Sequence, residues 1–304
     1  MAYLQLLRTP NLVIVALTQA LIYACWLLPI QTELGIPLAL DPFHFGLLIL
    51  CTICITASGN IINDIFDQVT DQQNPGKKAI VGVQISEASA RMYYWLVVAL
   101  GFGLAVYLAI QTNNLPWLLL YPAAIALLWI YSRRLKCRPL LGNLLVSLFC
   151  ALVIAIVWFA ERHTFSALAL KAPDAHAFLV RLLEFYMALA FSTTLFRELA
   201  KDVEDIPGDM KAGCLTFAVK YGPEASKRFL FGVGLLVIGL SFISMGHSSE
   251  VNKLILFSPV WILVLICLYL VVKARETDHF KSVSKLARLL ILAGLLLYPL
   301  LNQL

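Results

Sequence analysis

The sequence predicts an all-α, polytopic membrane protein, and three observations carry that reading. Of its 304 residues, 61% are apolar and only 13% charged, with a mean hydropathy of +0.84. A soluble domain is roughly half apolar and about a quarter charged, so a water-soluble globule is excluded. The apolar residues fall in long runs such as Phe229 to Met245. A transmembrane barrel would instead alternate over segments of about ten residues.

Nine spans are expected, near 11–30, 44–62, 91–111, 115–131, 139–160, 177–196, 228–246, 253–273 and 286–302. Each approaches the roughly 20 apolar residues that a helix needs to cross a bilayer. The first follows a lone Arg8 and is too long for a signal-peptide core, without a clear small-residue cleavage site, so it reads as a retained span. The second and sixth lead into acidic stretches, the fourth runs into the basic segment Arg133 to Arg138, and the others are joined by shorter polar links. With the N-terminus cytoplasmic, 19 of the 23 Lys and Arg residues fall on the cytoplasmic side; Arg162, Lys171, Arg181 and Lys253 do not. That asymmetry follows the positive-inside rule, and omitting or adding one span would destroy it. The expectation is a multi-pass protein of the cell (inner) membrane, with the C-terminus outside and residues 1–304 forming a single domain, one bundle around a central cavity.

The net charge of +5 reflects this bias, and no basic stripe interleaved with aromatics points to nucleic acid. The seven cysteines, Cys25, Cys51, Cys54, Cys137, Cys150, Cys214 and Cys267, are scattered and read as small buried hydrophobes, with no disulfide framework expected. Cys51 and Cys54 form a C-x-x-C, but in an apolar helix without the second pair that a zinc site needs.

The two longest polar stretches, about 63–90 and 197–227, lie on the cytoplasmic side and hold six of the nine aspartates. Asn60, Asp64, Asp67 and Asp71 are spaced four, three and four apart, and Glu198, Asp202, Asp205 and Asp209 repeat the pattern. Steps of three and four keep side chains on one helical face. Each set thus projects from the cytoplasmic end of a span, which predicts two equivalent half-sites across a cavity. Six converging carboxylates repel and require cations. Oxygen ligands without His or Cys select a hard divalent ion, and Mg²⁺ typically takes one or two carboxylates and completes its shell with substrate phosphate. Lys77, Lys78, Arg133, Arg134, Lys136, Arg197 and Lys201 lie nearby in sequence as partners for further phosphate charge. A diphosphate site opening into apolar helices suits a polyprenyl diphosphate, whose head sits at the membrane surface and whose tail lies within it. The chemistry expected is metal-assisted loss of diphosphate and capture of the allylic cation by an acceptor, with Tyr131 placed to stabilise that cation.

These residues resemble the UbiA family of membrane prenyltransferases. Asn63 to Asp71 read NDIFDQVTD, Arg197 to Asp209 read RELAKDVEDIPGD, Tyr131 to Asn143 read YSRRLKCRPLLGN, and RTPN from Arg8 to Asn11 resembles the family's opening. The resemblance implies that Asp64, Asp67, Asp71, Asp202, Asp205 and Asp209 hold Mg²⁺ and the prenyl diphosphate, making them the catalytic set. It implies substrate contacts from Asn60, Asn63, Lys77, Tyr131, Ser132, Lys136, Arg197 and Lys201. The form of the second motif is most similar to the branch that prenylates geranylgeranylglycerol phosphate, which gives a lipophilic ether-lipid acceptor drawn from the membrane. An aromatic acceptor in quinone synthesis is the alternative within the family. A cation-binding transporter is the alternative outside it, but its ionisable groups belong near the bilayer midplane, and here the acids lie at one side. Many family members carry Arg-Pro after the first motif, where this chain has Asn74, Pro75, Gly76, Lys77 and Lys78.

Overall fold

The computed structural model describes residues 2–68, 71, 79–245 and 251–301, and Lys77 and Lys78 lie outside them. Among the described residues the fold is helical, with one isolated bridge between Val81 and Ile85. We number the helices α1 (Ala2–Leu6), α2 (Thr9–Leu34, with a π turn at Tyr23–Leu27), α3 (Pro42–Phe66), α4 (Glu87–Gln111), α5 (Trp117–Ile130), α6 (Leu141–Ala160), α7 (Arg162–Lys171), α8 (Pro173–Glu204), α9 (Ile206–Lys211), α10 (Phe217–Met245), α11 (Val251–Lys273) and α12 (Phe280–Leu301). Eight of these, α2 to α6, α8, α10 and α11, are long and apolar enough among the described residues to cross a membrane, α5 together with the turn after it. The ninth expected span falls on α12, whose first half carries Lys281, Lys285 and Arg288.

Local chemistry sets the helix starts. Asp41 caps α3 by accepting the His44 backbone N–H at 2.9 Å, with Pro42 at the first helical position. The same contacts, together with the His44 ring, hold the Asp41 carboxyl below its ordinary range. Ser86 caps α4 by accepting the Ser89 N–H at 3.2 Å, and Glu87 favours the positive end of the helix dipole.

The helices divide into two compact units. The first comprises Met1–Ala20 and Ala39–Lys136. Here α3, α4 and α5 pack closely because small residues face the contacts. A Cβ on Gly101 would collide with the Tyr121 hydroxyl and stand 2.6 Å from Cys54 Cβ, and one on Gly59 would stand 3.1 Å from the Leu128 side chain. Tyr121 donates to the Val98 carbonyl at 3.1 Å, so its hydroxyl cannot simply swing aside. Cys51 and Cys54 are packing residues in this seam, as expected, and Cys51 Sγ lies 3.5 Å from the Gly101 carbonyl.

The second unit comprises Leu21–Leu38 and Cys137–Leu304. Its hub is α8, which packs against α6, α10 and α12 and buries Leu189, Leu195, Phe196 and Leu199. At 32 residues α8 is about 48 Å long, well beyond the roughly 30 Å hydrocarbon layer, so its last turns carry side chains clear of the bilayer core. Beyond it the chain stays helical where a connecting segment was expected, through α9 and the opening turns of α10, which kinks at Gly222 and Pro223. Gly213, with φ of 68°, closes α9: the Cys214 N–H reaches the Asp209 carbonyl at 2.8 Å, and the Gly213 N–H reaches that of Met210 at 3.2 Å.

The cysteine reading needs one correction. Cys137 and Cys214 form a disulfide across 77 residues of sequence. Spacing alone conceals it, because the turn at Gly213 is what delivers Cys214 to the start of the segment leading into α6.

Two measurements check this packing. Gly101→Ala should cost about 1–3 kcal/mol through overpacking, read from thermal unfolding in detergent. Cys137→Ser should cost about 2–4 kcal/mol, and reductant should lower the wild-type midpoint to the same extent while leaving the variant unmoved.

Candidate active site

The first acidic motif closes α3. Asp67 caps the helix with its N–H on the Asn63 carbonyl at 2.9 Å, and Asp71 extends the spiral one further turn with its N–H on the Asp67 carbonyl at 2.8 Å. The motif therefore sits at the carbonyl end of the helix, where the dipole is negative and carboxylates are disfavoured. Cations compensate. Arg8 lies at the corner between α1 and α2 with φ of 52°, and its guanidinium reaches Asp64 Oδ1 at 2.5 Å. The same corner presents the Leu7 carbonyl to Asn60 Nδ2 at 2.9 Å. Two bonds thus tie the amino-terminal corner to the last turns of α3.

Asp67 receives Asn63 Nδ2 at 3.0 Å and pairs with the Lys136 ammonium. Lys136 owes its position to a π turn, Tyr131–Leu135, closed by its own N–H on the Tyr131 carbonyl at 3.0 Å. Such single-turn insertions are common at functional sites, because one extra residue re-aims the side chains beyond it. Arg133 on the same turn lies over the Trp129 ring at 4.9 Å, an interfacial anchor. Tyr131 and Asp71 are half-buried. Ser132 Oγ and Asn63 Oδ1 are buried without a hydrogen-bond partner.

The second motif repeats the device at the end of α8. Asp205 caps with its N–H on the Lys201 carbonyl at 2.9 Å, and Asp209 continues with its N–H on the Asp205 carbonyl at 2.9 Å. Asp202 accepts Asn143 Nδ2 at 2.9 Å, and Asp209 accepts the Thr216 hydroxyl at 3.3 Å. Asp202 is desolvated and lies in the field of Glu198 and Asp209, with Lys201 as the opposing charge. Arg197 pairs with Glu198, while its Nε is buried and has no hydrogen-bond partner. Lys201 and Asp205 are half-buried.

The structure thus places Asn60, Asn63, Asp64, Asp67 and Lys136 at the last turns of α3, in two sets of contacts around Asp64 and Asp67, and gathers Arg197, Lys201, Asp202, Asp205 and Asp209 in and around the last turns of α8. Arg8, Asn143 and Thr216 were not expected as site residues. Arg8 and Asn143 lie at the edges of two recognisable motifs, whereas nothing in the sequence marks Thr216. Among the described residues, no three His, Cys, Asp or Glu side chains gather closely enough to hold a metal ion. The basic partners account for this in the first motif, since Arg8 and Lys136 neutralise Asp64 and Asp67 directly. The donors are nonetheless those that a hard cation needs: carboxylate oxygens, with Asp202 Oδ1 bound to no protein group among the described residues. Carboxylates that accept a cation, beside Arg and Lys that accept phosphate, can together bind a metal diphosphate.

Comparison with known proteins agrees with this chemistry. The family model described as "UbiA prenyltransferase family" matches residues 20–292. The digeranylgeranylglyceryl phosphate synthase of Methanobrevibacter smithii is 29% identical over 296 residues, covering 95% of this chain and 92% of that one. A solved structure concerning digeranylgeranylglyceryl phosphate synthase in membranes superposes with a TM-score of 0.66 at 22% identity, over 98% of this chain and 96% of the other. A UbiA homologue from Archaeoglobus fulgidus, bound to DMAPP and Mg²⁺, gives a TM-score of 0.61 at 18% identity, over 98% and 99%. The helical membrane fold, the paired acidic motifs and the family match lead to one assignment: the chain belongs to the UbiA prenyltransferase family.

Proposed function

We propose that this enzyme transfers a geranylgeranyl group from its diphosphate to the free hydroxyl of a geranylgeranylglyceryl phosphate lipid, in a Mg²⁺-dependent reaction. The observation that carries the proposal is the duplicated acidic motif at the ends of two spans, with basic side chains in or beside each. The relatives named for digeranylgeranylglyceryl phosphate synthesis support the acceptor, and the Archaeoglobus homologue with DMAPP and Mg²⁺ supports the donor and the ion.

Asp64, Asp67, Asp71, Asp202, Asp205 and Asp209 would hold the ions. Mg²⁺ supplies neutralisation of the charge that develops on the departing diphosphate. Arg197, whose buried Nε lacks a protein acceptor, offers a donor to a phosphate oxygen, joined by Lys201, Lys136 and Lys77. Arg8 and Lys136, here paired with Asp64 and Asp67, would be available to phosphate once those carboxylates held an ion. Asn60, Asn63 and Ser132 would orient the head group and Tyr131 would face the allylic cation. Water is kept from that cation by the apolar helices, so once the C–O bond to diphosphate has broken the acceptor hydroxyl would capture it, forming the new C–O bond and giving its proton to the departed diphosphate. The active-site loops and the N-terminus are cytoplasmic in this reading, the C-terminus lies outside, and residues 1–304 act as one prenyltransferase domain.

The test is an assay of the purified chain with Mg²⁺, pairing geranyl, farnesyl and geranylgeranyl diphosphate with the glycerophosphate ether lipid and with aromatic acids, read by diphosphate release and lipid mass. Transfer to the ether lipid is expected; transfer only to an aromatic acid overturns the acceptor, and metal binding without any diphosphate release overturns the enzyme reading. Asp64→Ala and Asp202→Ala should each lower kcat at least about a hundredfold without loss of expression, because each removes charge from the ion site. Lys136→Ala should raise the KM for prenyl diphosphate several-fold, checked by initial rates at saturating acceptor.

A further inference from the structure

The two motifs hold their carboxylates in different ways. Asp64 and Asp67 are paired with full cations, Arg8 and Lys136. Asp202 is held through one oxygen by the neutral amide of Asn143. Asn143 is buried in the first turn of α6, where that helix packs on α8. The start of α6 is set by Leu140, which adopts φ of 64° without being glycine, a conformation that is costly unless the surroundings impose it.

An amide in a buried helix interface is a liability that leucine, of similar branched shape, would remove. What asparagine alone supplies there is a donor aimed at Asp202. A neutral donor fixes the carboxylate's orientation while leaving its negative charge in place, whereas an ammonium or guanidinium cancels the charge and competes with a metal. The Oδ2 oxygen is engaged by Asn143, and Oδ1 remains bound to no protein group among the described residues.

From this we infer that Asn143 is a positioning residue for metal binding: it locks Asp202 with Oδ1 presented, so that the second motif is pre-set to take the ion. The inference rests on the Mg²⁺ reading above and adds a residue to it.

Manganese binding to the purified, substrate-free, full-length chain tests it, monitored by the electron paramagnetic resonance signal of free Mn²⁺. Asn143→Leu should raise the Mn²⁺ dissociation constant about tenfold, the lower end of what loss of a ligand-orienting hydrogen bond costs. It should raise the KM for Mg²⁺ in parallel, leave kcat at saturating Mg²⁺ within twofold, and keep the metal-free melting temperature at or above that of the wild type. Should the leucine variant not fold, Asn143→Ala replaces it with the same expectation for Mn²⁺. Wild-type Mn²⁺ affinity in a folded variant, or a lowered melting temperature with unchanged metal affinity, overturns the inference and leaves the Mg²⁺ reading standing. A wild-type chain that binds no Mn²⁺, or an Asp202→Asn variant that binds it as well as wild type, overturns the Mg²⁺ reading itself.

Discussion

Carboxylates set in threes at the carbonyl ends of two membrane helices repel their neighbours within each set, and much of the surrounding structure answers that repulsion. The helix dipoles add to it, since both motifs sit where the backbone is already negative. Arg8, Lys136, Lys201 and Arg197 supply positive charge, and Asn63, Asn143 and Thr216 supply neutral donors. Elements that look incidental become intelligible in this light. The left-handed residue at Arg8 and the π turn before Lys136 each deliver a cation to a carboxylate, while the left-handed residue at Leu140 opens the turn that carries the amide to Asp202.

The scaffold meets the requirement differently in its two units. In the first, three helices are drawn together by Gly59 and Gly101, and the motif emerges from a seam with little room for adjustment. In the second, one long helix runs beyond the bilayer core with its acids on the projecting end, steadied by α6 alongside and by the Cys137–Cys214 bridge beyond. Rigid packing inside the apolar layer and polar fixings outside it are the division expected where the solvent changes along a single helix.

Much of this was legible in the sequence. Composition and the length of apolar runs gave the fold class, and the repeated spacing of Asn60 to Asp71 and Glu198 to Asp209 marked the acidic faces. What stayed hidden depended on contacts between residues far apart in the chain. Arg8 is 56 residues from Asp64, Asn143 is 59 from Asp202, and Cys137 is 77 from Cys214. No periodicity encodes such pairs, and each relies on a backbone irregularity that propensity does not reveal: positive φ at Arg8 and Leu140, and the Gly213 turn. The helices after Asp205 were hard to foresee for a related reason, since α9 and the opening of α10 are too short and polar to announce themselves.

The bridge also changes what it means to cut this chain. Cys137 and Cys214 enclose α6, α7, α8 and α9 in one covalent ring. A protease that nicks α7 opens the ring and leaves it connected, because the fragments before and after the nick are still joined through sulfur. Under oxidising conditions the nicked protein migrates as one molecule, and Asn143 and Asp202, which then belong to different fragments, stay linked through the bridge that neither of them forms.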